Sequence, residues 1–282
     1  MNRFDPPTSA VVEAVGRALA EDLLPLGDLT AALIPPGCVC AAHLVSREAG
    51  VLAGRACVEA TFLQVDASIA VEWSRADGSV LEAGDVVASV DGSLASIVTA
   101  ERTALNFVRH LSGVASLTAR FVALADQASG GRTRILDTRK TTPGLRALEK
   151  AAVRAGGGHN HRANLSDGIM VKDNHLAGLS IADAVTQARA QWPGRPVHVE
   201  CDSLEQLEIV VASGADRAML DNMSPAQVAS GVAAVAGRIE VEVTGGVNLS
   251  SVAAYAAARP DFISVGALTQ SAGIIDIGLD LA

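Results

Sequence analysis

The sequence predicts an α/β protein: a TIM-like parallel α/β barrel, incomplete at six or seven strands, with a smaller α+β domain in front of it. Three observations carry this. After Gly131, short apolar runs alternate with helical patterns, and the later runs start about twenty residues apart, the repeat of a parallel βα fold. Nearly every run opens into a polar or charged residue at its carboxyl end, where a barrel gathers its active site. Before Gly131 the texture differs, with short alternating strands broken by turn residues. The division this implies is 1–113 for the N-terminal domain and 114–269 for the barrel, with the tail 270–282 packing on the former.

Taken in order, Ser9 to Leu24 reads as a helix, because Val12, Val15, Leu19 and Leu23 recur at three- and four-residue spacing. Gly27-Asp28-Leu29-Thr30 ends it. From Cys38 to about Ser96, Val80, Val86, Val87 and Val90 fill strands, and Asp77-Gly78, Ala83-Gly84-Asp85 and Asp91-Gly92 are expected to be turns. Ala56 to Leu63 lacks two-residue alternation and reads as a helix packed on that sheet. A long helix is expected from Thr99 to about Ala128, with Leu105, Val108, Leu111, Val114 and Leu117 as its apolar stripe. Arg102, Asn106, His110 and Gly113 share another face, which suits either solvent or the edge of a cleft.

Six barrel strands follow: 134–137, 168–172, 197–200, 217–220, 239–243 and 262–265. Helical patterns centred near Ala147, Val185, Leu207, Val228 and Val252 lie between them. Their ends carry Asp137 with Arg139 and Lys140, Lys172 with Asp173, Glu200 with Asp202, Asp221 with Asn222, and Glu242 with Thr244. A single polar strand end often does no more than reach water; five on one rim indicate a reactive mouth. The last two units read Val243-Thr244-Gly245-Gly246-Val247 and Ser264-Val265-Gly266-Ala267. Glycine lets backbone N–H groups approach a phosphate, and the final loops of a barrel are its usual phosphate site.

Charge narrows the ligand. The chain carries a net −9, yet Arg132–His175 holds nine Lys or Arg against four Asp or Glu, and all three lysines, Lys140, Lys150 and Lys172. A solvated face is the plain reading of such an island. Its interleaving with Thr-Thr-Pro-Gly and Gly-Gly-Gly favours a shaped basin for a compact, multiply anionic small molecule. Aromatic residues make up 3% of the chain, so a nucleic-acid surface with stacking rings is not expected. No apolar run approaches the ~20 residues of a membrane span, and the first residues have Asp, Pro and Glu where a secretory signal needs an apolar block. Cys38, Cys40, Cys57 and Cys201 have no metal-ribbon spacing and are expected to be reduced packed thiols in a cytoplasmic protein.

Laid out together, these residues resemble the quinolinate phosphoribosyltransferase family. The resemblance rests on GDLT, REAGVLAG, ERTALNFVRHLSG, LDTRKTTPGLRALEKAAVRAGGGHNHRANLSDGIMVKDNH, VECD, MLDN, VEVTGGV and SVGALT, and covers nearly the whole chain. The departures are small: Thr244 stands where the family more often has Ser, and Met223 where it has another apolar residue. The resemblance implies conversion of quinolinate and phosphoribosyl pyrophosphate, with Mg2+, into nicotinate mononucleotide, pyrophosphate and carbon dioxide, a step of NAD biosynthesis. It further implies that Arg102, Arg139, His161 and Arg162 grip the quinolinate carboxylates and that Lys140 and Lys172 face both substrates. Glu200 and Asp221 would lie by the ribose and its Mg2+, and Thr244, Gly245, Gly246 and Gly266 would hold the 5-phosphate. It also implies a homodimer with shared active sites, Arg102 reaching into the partner's barrel, and leaves a higher oligomer open.

Two alternatives are weighed against this. In a metal-dependent amidohydrolase-like barrel, His159 and His161 would join Lys172, His198 and Asp221 around two metals; here, however, the H-x-H follows a helix rather than closing a first strand. A non-catalytic binder of an anionic nucleotide would not need carboxylates facing a sugar phosphate. His43, His175 and His198 are expected to be packing or surface residues, and Cys201 a small buried side chain rather than a nucleophile.

Overall fold

The computed structural model describes residues 4–282, which pack as two compact units. One takes the chain up to Ala119 together with Thr141–Gly157 and Leu268–Ala282; the other takes Arg120–Lys140 and Gly158–Ala267. The units therefore interleave along the sequence instead of meeting at a single cut.

In the first unit, β1 (Val39–Ser46), β3 (Ala70–Trp73) and β5 (Val86–Ser93) form an antiparallel sheet with the C-terminal strand Ile277–Leu281, in the order C-terminal strand, β1, β5, β3. β2 (Gly50–Val51) and β4 (Val80–Leu81) make a separate two-stranded ladder. Helices α1 (Thr8–Leu23), α2 (Arg55–Val65), α3 (Leu94–Ser129, counted here to Ala119) and α4 (Arg146–Ala155) complete the unit. Leu44, Leu52, Phe62, Leu81, Val90, Ile97, Val108 and Ile277 form its core, all essentially inaccessible to solvent. Burying one such side chain is worth about 1.5–3 kcal/mol.

One expectation fails in this unit, and one that the sequence left open takes a definite form. Asp91-Gly92 is not a turn; both residues lie inside β5, paired with Ala41 and Cys40 of β1. Gly92 is there because a Cβ would sit 2.9 Å from Ile69 Cγ1, so close approach, not a reversal of direction, demands the glycine. The polar stripe of α3 is not one surface either. Arg102 and Asn106 are exposed, whereas His110 is half-buried with its Nε2 2.9 Å from Oε1 of the buried Glu149, and Gly113 is buried.

The second unit is the parallel one. Strands β6 (Arg134–Leu136), β7 (Ile169–Val171), β8 (Val197–Cys201), β9 (Arg217–Asp221), β10 (Glu240–Thr244) and β11 (Phe262–Ser264) form a six-stranded parallel sheet in the order β6-β11-β10-β9-β8-β7. The free side of β6 is continued by a parallel bridge from Leu136 to His159, which brings the segment before β7 alongside it. Helices α5 (Ile181–Gln191), α6 (Leu204–Ala212), α7 (Pro225–Val235) and α8 (Val252–Ala257) alternate with the strands. Ser180, Ser203 and Ser224 start the first three, each hydroxyl accepting a backbone N–H three residues on.

Alternation along the strands sorts the side chains. Val197, Val199, Ala218, Leu220, Val241 and Val243 are at most 2% exposed. The alternate positions are His198 and Glu200 on β8, Arg217, Met219 and Asp221 on β9, and Glu240, Glu242 and Thr244 on β10, and they share the other face. That face is a column of polar groups running to the carboxyl ends of the strands.

Candidate active site

At those ends the second unit encloses a cavity of about 650 Å3. Thr138, Arg139 and Lys140 after β6, Lys172 after β7, Glu200 in β8, Asp221 at the end of β9, and Thr244, Gly245 and Gly246 at the end of β10 all line it. Residues more than a hundred positions apart meet here because parallel strands all end on the same side.

The centre of the cavity is an ion pair. Lys172 Nζ lies 2.8 Å from Glu200 Oε1 and 2.7 Å from Oε2, with the lysine 39% and the carboxylate 12% exposed. Asp221 sits on the adjoining strand, its Oδ2 accepting from Asn222 Nδ2 at 2.8 Å. Desolvation pushes the Asp221 pKa up from the ordinary carboxylate range; Lys172 opposes this and Asp202 adds to it. A carboxylate short of compensating positive charge attracts a cation.

The glycine turn after β10 has a steric origin. Gly245 has φ +89°, and a Cβ there would fall 2.3 Å from Asn222 Oδ1 and 2.8 Å from Asp221 Oδ1. Asn222 itself adopts φ +53°, a conformation asparagine tolerates better than most residues. Two strand ends are thereby drawn together, with backbone replacing side chain at the cavity wall. Gly266 leaves room for Lys140, whose Cδ would be 3.0 Å from an added Cβ.

The loop from His159 to Arg162 is held from beneath. Asp137, fully buried at the end of β6, accepts Asn160 Nδ2 at 2.6 Å and the His161 backbone N–H at 2.8 Å. Arg162 donates from Nη1 to the Gly168 carbonyl at 2.9 Å, and burial, with Arg139 nearby, lowers its pKa. The result is a cationic wall fixed by backbone contacts. Below it, His161 Nε2 is 3.3 Å from Glu242 Oε2, and Arg217 Nη1 donates to the same oxygen at 2.8 Å.

The profile of the quinolinate phosphoribosyl transferase C-terminal domain matches residues 114–280, and that of the N-terminal domain matches 28–112. The chain belongs to the quinolinate phosphoribosyltransferase family. It is 42% identical to the nicotinate-nucleotide pyrophosphorylase (carboxylating) of Mycobacterium leprae over 96% of this chain and 97% of the relative. A probable enzyme of the same name from Bacillus subtilis is 41% identical over 90% and 88%. The nicotinate-nucleotide pyrophosphorylase structure from Francisella tularensis covers all of both chains at 37% identity with a TM-score of 0.95.

Within this quinolinate phosphoribosyltransferase fold, Arg139, Lys140, Lys172, Glu200, Asp221, Thr244, Gly245 and Gly246, at or just beyond strand ends, line one cavity together with His161 and Arg162 of the loop before β7. Arg102 does not line it; it is an exposed residue of the first unit. Gly266 is not a lining residue either, since it backs Lys140 instead of facing the cavity. Thr138, Met170, Met219, Asn174 and Ser264 line the cavity and were not singled out from sequence. Met170, Met219 and Ser264 had a signal, each being inward-facing in the alternation of its strand; Thr138 and Asn174 had none.

The hydrolase alternative fails on geometry and on family. His159 is exposed while His161 is 8% exposed, so the H-x-H does not present two imidazoles to one site. Among the described residues, the grouping that could hold a metal is His161, His198 and Glu242, not the set that alternative requires. His198 is not a surface residue; it packs edge-on against His161 at 5.6 Å, and burial lowers its pKa to about 4. The Cys201 thiol is pushed up to about 12 by burial, which leaves it inert as a nucleophile.

Proposed function

We propose that this chain transfers the phosphoribosyl group of phosphoribosyl pyrophosphate to the ring nitrogen of quinolinate, with release of pyrophosphate and carbon dioxide, giving nicotinate mononucleotide. The observation that carries the reading is one cavity combining a wall of Arg139, Lys140, Arg162 and Lys172, the acids Glu200 and Asp221, and the Thr244-Gly245-Gly246 turn. Two ring carboxylates suit the guanidinium and ammonium wall, and a 5-phosphate suits backbone N–H groups at a glycine turn.

The chemistry asks for little proton transfer. The bond from the anomeric carbon to pyrophosphate breaks as the pyridine nitrogen approaches, and positive charge grows on the sugar. Glu200 and Asp221 would stabilise that charge more in the transition state than in the ground state. The C–C bond to the carboxylate beside the new C–N bond then breaks, its electron pair held next to the pyridinium nitrogen, and a proton replaces the lost carbon dioxide. Lys140 and Lys172 would hold the reactants in line.

Magnesium belongs to the same reading. Asp221 fits it, as a carboxylate whose burial is incompletely compensated. Glu200 would join only as Lys172 moves toward a substrate anion, because Lys172 now occupies both its oxygens. The ion would neutralise charge on the leaving pyrophosphate.

A homodimer with shared sites is also part of the proposal. Leu24, Leu26, Leu29 and Leu33 are 66–82% exposed within ten residues of one another, an apolar patch suited to a second copy. No helix among the described residues is long and apolar enough to cross a membrane. Four free thiols accord with a cytoplasmic location.

The test is incubation of the purified protein with quinolinate, phosphoribosyl pyrophosphate and Mg2+, following carbon dioxide and nicotinate mononucleotide together. Equimolar release supports the reading. Equal turnover with nicotinate, which lacks the second carboxylate, or no product at all, overturns it.

A further inference from the structure

Glu242 sits in the middle of β10, one inward-facing position below the cavity rim at Thr244, and is fully buried. Its Oε2 accepts from Arg217 Nη1 at 2.8 Å and lies 3.3 Å from His161 Nε2, a charge contact outside hydrogen-bond geometry; its Oε1 has no hydrogen-bond partner among the described residues. Arg217 is itself held, by Glu240 at 2.7 and 2.9 Å and over the Phe262 ring at 3.9 Å. This is a poor way to gain stability. A buried ion pair roughly cancels its own desolvation, and apolar residues of similar size would do as well or better. An unpartnered buried carboxylate oxygen adds a further cost.

The arrangement has a directional consequence instead. The Arg162 backbone N–H donates to His161 Nδ1 at 2.8 Å, so the neutral ring carries its proton on Nε2. That N–H faces Glu242. With the His161 backbone N–H on Asp137 at 2.8 Å, the residue is held at its main chain by one buried carboxylate, and its ring lies against another. The same geometry argues against a metal at His161, His198 and Glu242. The His161 nitrogen aimed at the group bears hydrogen, and a guanidinium already occupies the carboxylate.

We propose that Glu242, anchored by Arg217, is a positioning residue: it reinforces the Nε2–H tautomer that the Arg162 backbone N–H selects and sets the ring orientation of His161, and through His161 it sets how tightly the pyridine dicarboxylate is held. The inference rests on the proposed function for its substrate, but not for its tautomer. Glu242 lines the floor of the cavity, and the proposal gives neither it nor Arg217 contact with a substrate.

The test uses Glu242→Gln, which keeps the shape and puts an amide opposite Nε2–H. The protein is labelled with 15N-histidine, and two quantities are read: the ring-nitrogen shifts of His161 without ligand, and steady-state kinetics. Expected are a change in the His161 tautomer balance and a rise of about tenfold or more in KM for quinolinate, the scale of losing one charged contact that orients a binding group. KM for phosphoribosyl pyrophosphate should stay within about twofold of wild type. Unchanged ring-nitrogen shifts, or equal loss for both substrates with no tautomer change, overturn the proposal, the latter because it marks a merely structural role. If Glu242→Gln does not fold, the neutral pair Glu242→Gln with Arg217→Met carries both readouts. A wild-type protein without transferase activity would sink the proposed function, while the ligand-free tautomer measurement would still decide the role of Glu242.

Discussion

Lys172 Nζ sits between the two oxygens of Glu200, at 2.8 and 2.7 Å, so the ammonium that would meet an anionic substrate is already neutralised by a neighbour at the cavity. Lys172 is 39% exposed at the open cavity and Glu200 12%, so water screens the pair from the lysine side and it adds about 1 kcal/mol to stability. Lys172→Ala should therefore keep its melting temperature close to wild type. Its turnover should fall by about 10²–10³-fold, as when a preorganised charged group is removed from a reaction centre. Calorimetry beside steady-state kinetics checks both; a large loss of stability with intact turnover would make the pair structural.

Gly245→Ala should damage phosphate recognition before anything else. The residue has φ +89°, and the new methyl would meet Asn222 Oδ1 at 2.3 Å. The strain is worth roughly 1–3 kcal/mol and falls on the turn rather than the core. The expected result is KM for phosphoribosyl pyrophosphate raised by about tenfold or more, with KM for quinolinate little changed. Equal effects on the two constants would remove the turn from the phosphate site.

Much of this site was legible in the sequence because position and chemistry are coupled in a parallel fold. Once Val197–Glu200 and Arg217–Leu220 read as strands, Glu200 and Asp221 had to lie on one rim. Gly245 and Gly246 were legible for the same reason. Asp91-Gly92 misled because a glycine excluded by Ile69 looks, in sequence, the same as a glycine in a turn. That His198, Arg217 and Glu242 face a common interior, where they meet the buried His161, was hidden for a different reason: charged residues inside strands suggest water, and only the sheet order brings them together. The interleaving of the two units was equally out of reach, since it depends on where Thr141–Gly157 returns.

Stability should also respond to pH at a place unrelated to the cavity. Asp77 Oδ1 accepts the Arg55 backbone N–H at 3.3 Å near the start of α2, and desolvation raises its pKa from 3.8 to about 6. A carboxyl raised on folding favours the folded state when protonated, so its contribution is most favourable below about pH 4, declines as pH rises to about 6, and is level above that. Asp77→Asn keeps the acceptor and removes the charge. At pH 7.5 it should stabilise the protein by about 1–2 kcal/mol, or roughly 2–4 °C per kcal/mol, with little effect at pH 4. Thermal melts at the two pH values decide it; a variant less stable at both would show that the charge itself caps α2.

The shared-site proposal makes a quantitative claim. Arg102 is exposed on α3 and does not line the cavity, whereas Lys140 does. If each active site takes Arg102 from one subunit and its cavity from the other, Arg102→Ala and Lys140→Ala each disable every site of their own homodimer. In a mixed dimer both defects fall in one site, and the second site is assembled wholly from intact parts. Random exchange of equal amounts makes half the dimers mixed, so activity should recover to about a quarter of wild type. The mixture must first be allowed to exchange subunits, for example by mild denaturation and refolding, with each single variant treated in parallel as the background. Recovery confined to the mixture supports sharing across the interface. No recovery, with mixed dimers demonstrated by mass, would mean that Arg102 serves the cavity of its own chain or none.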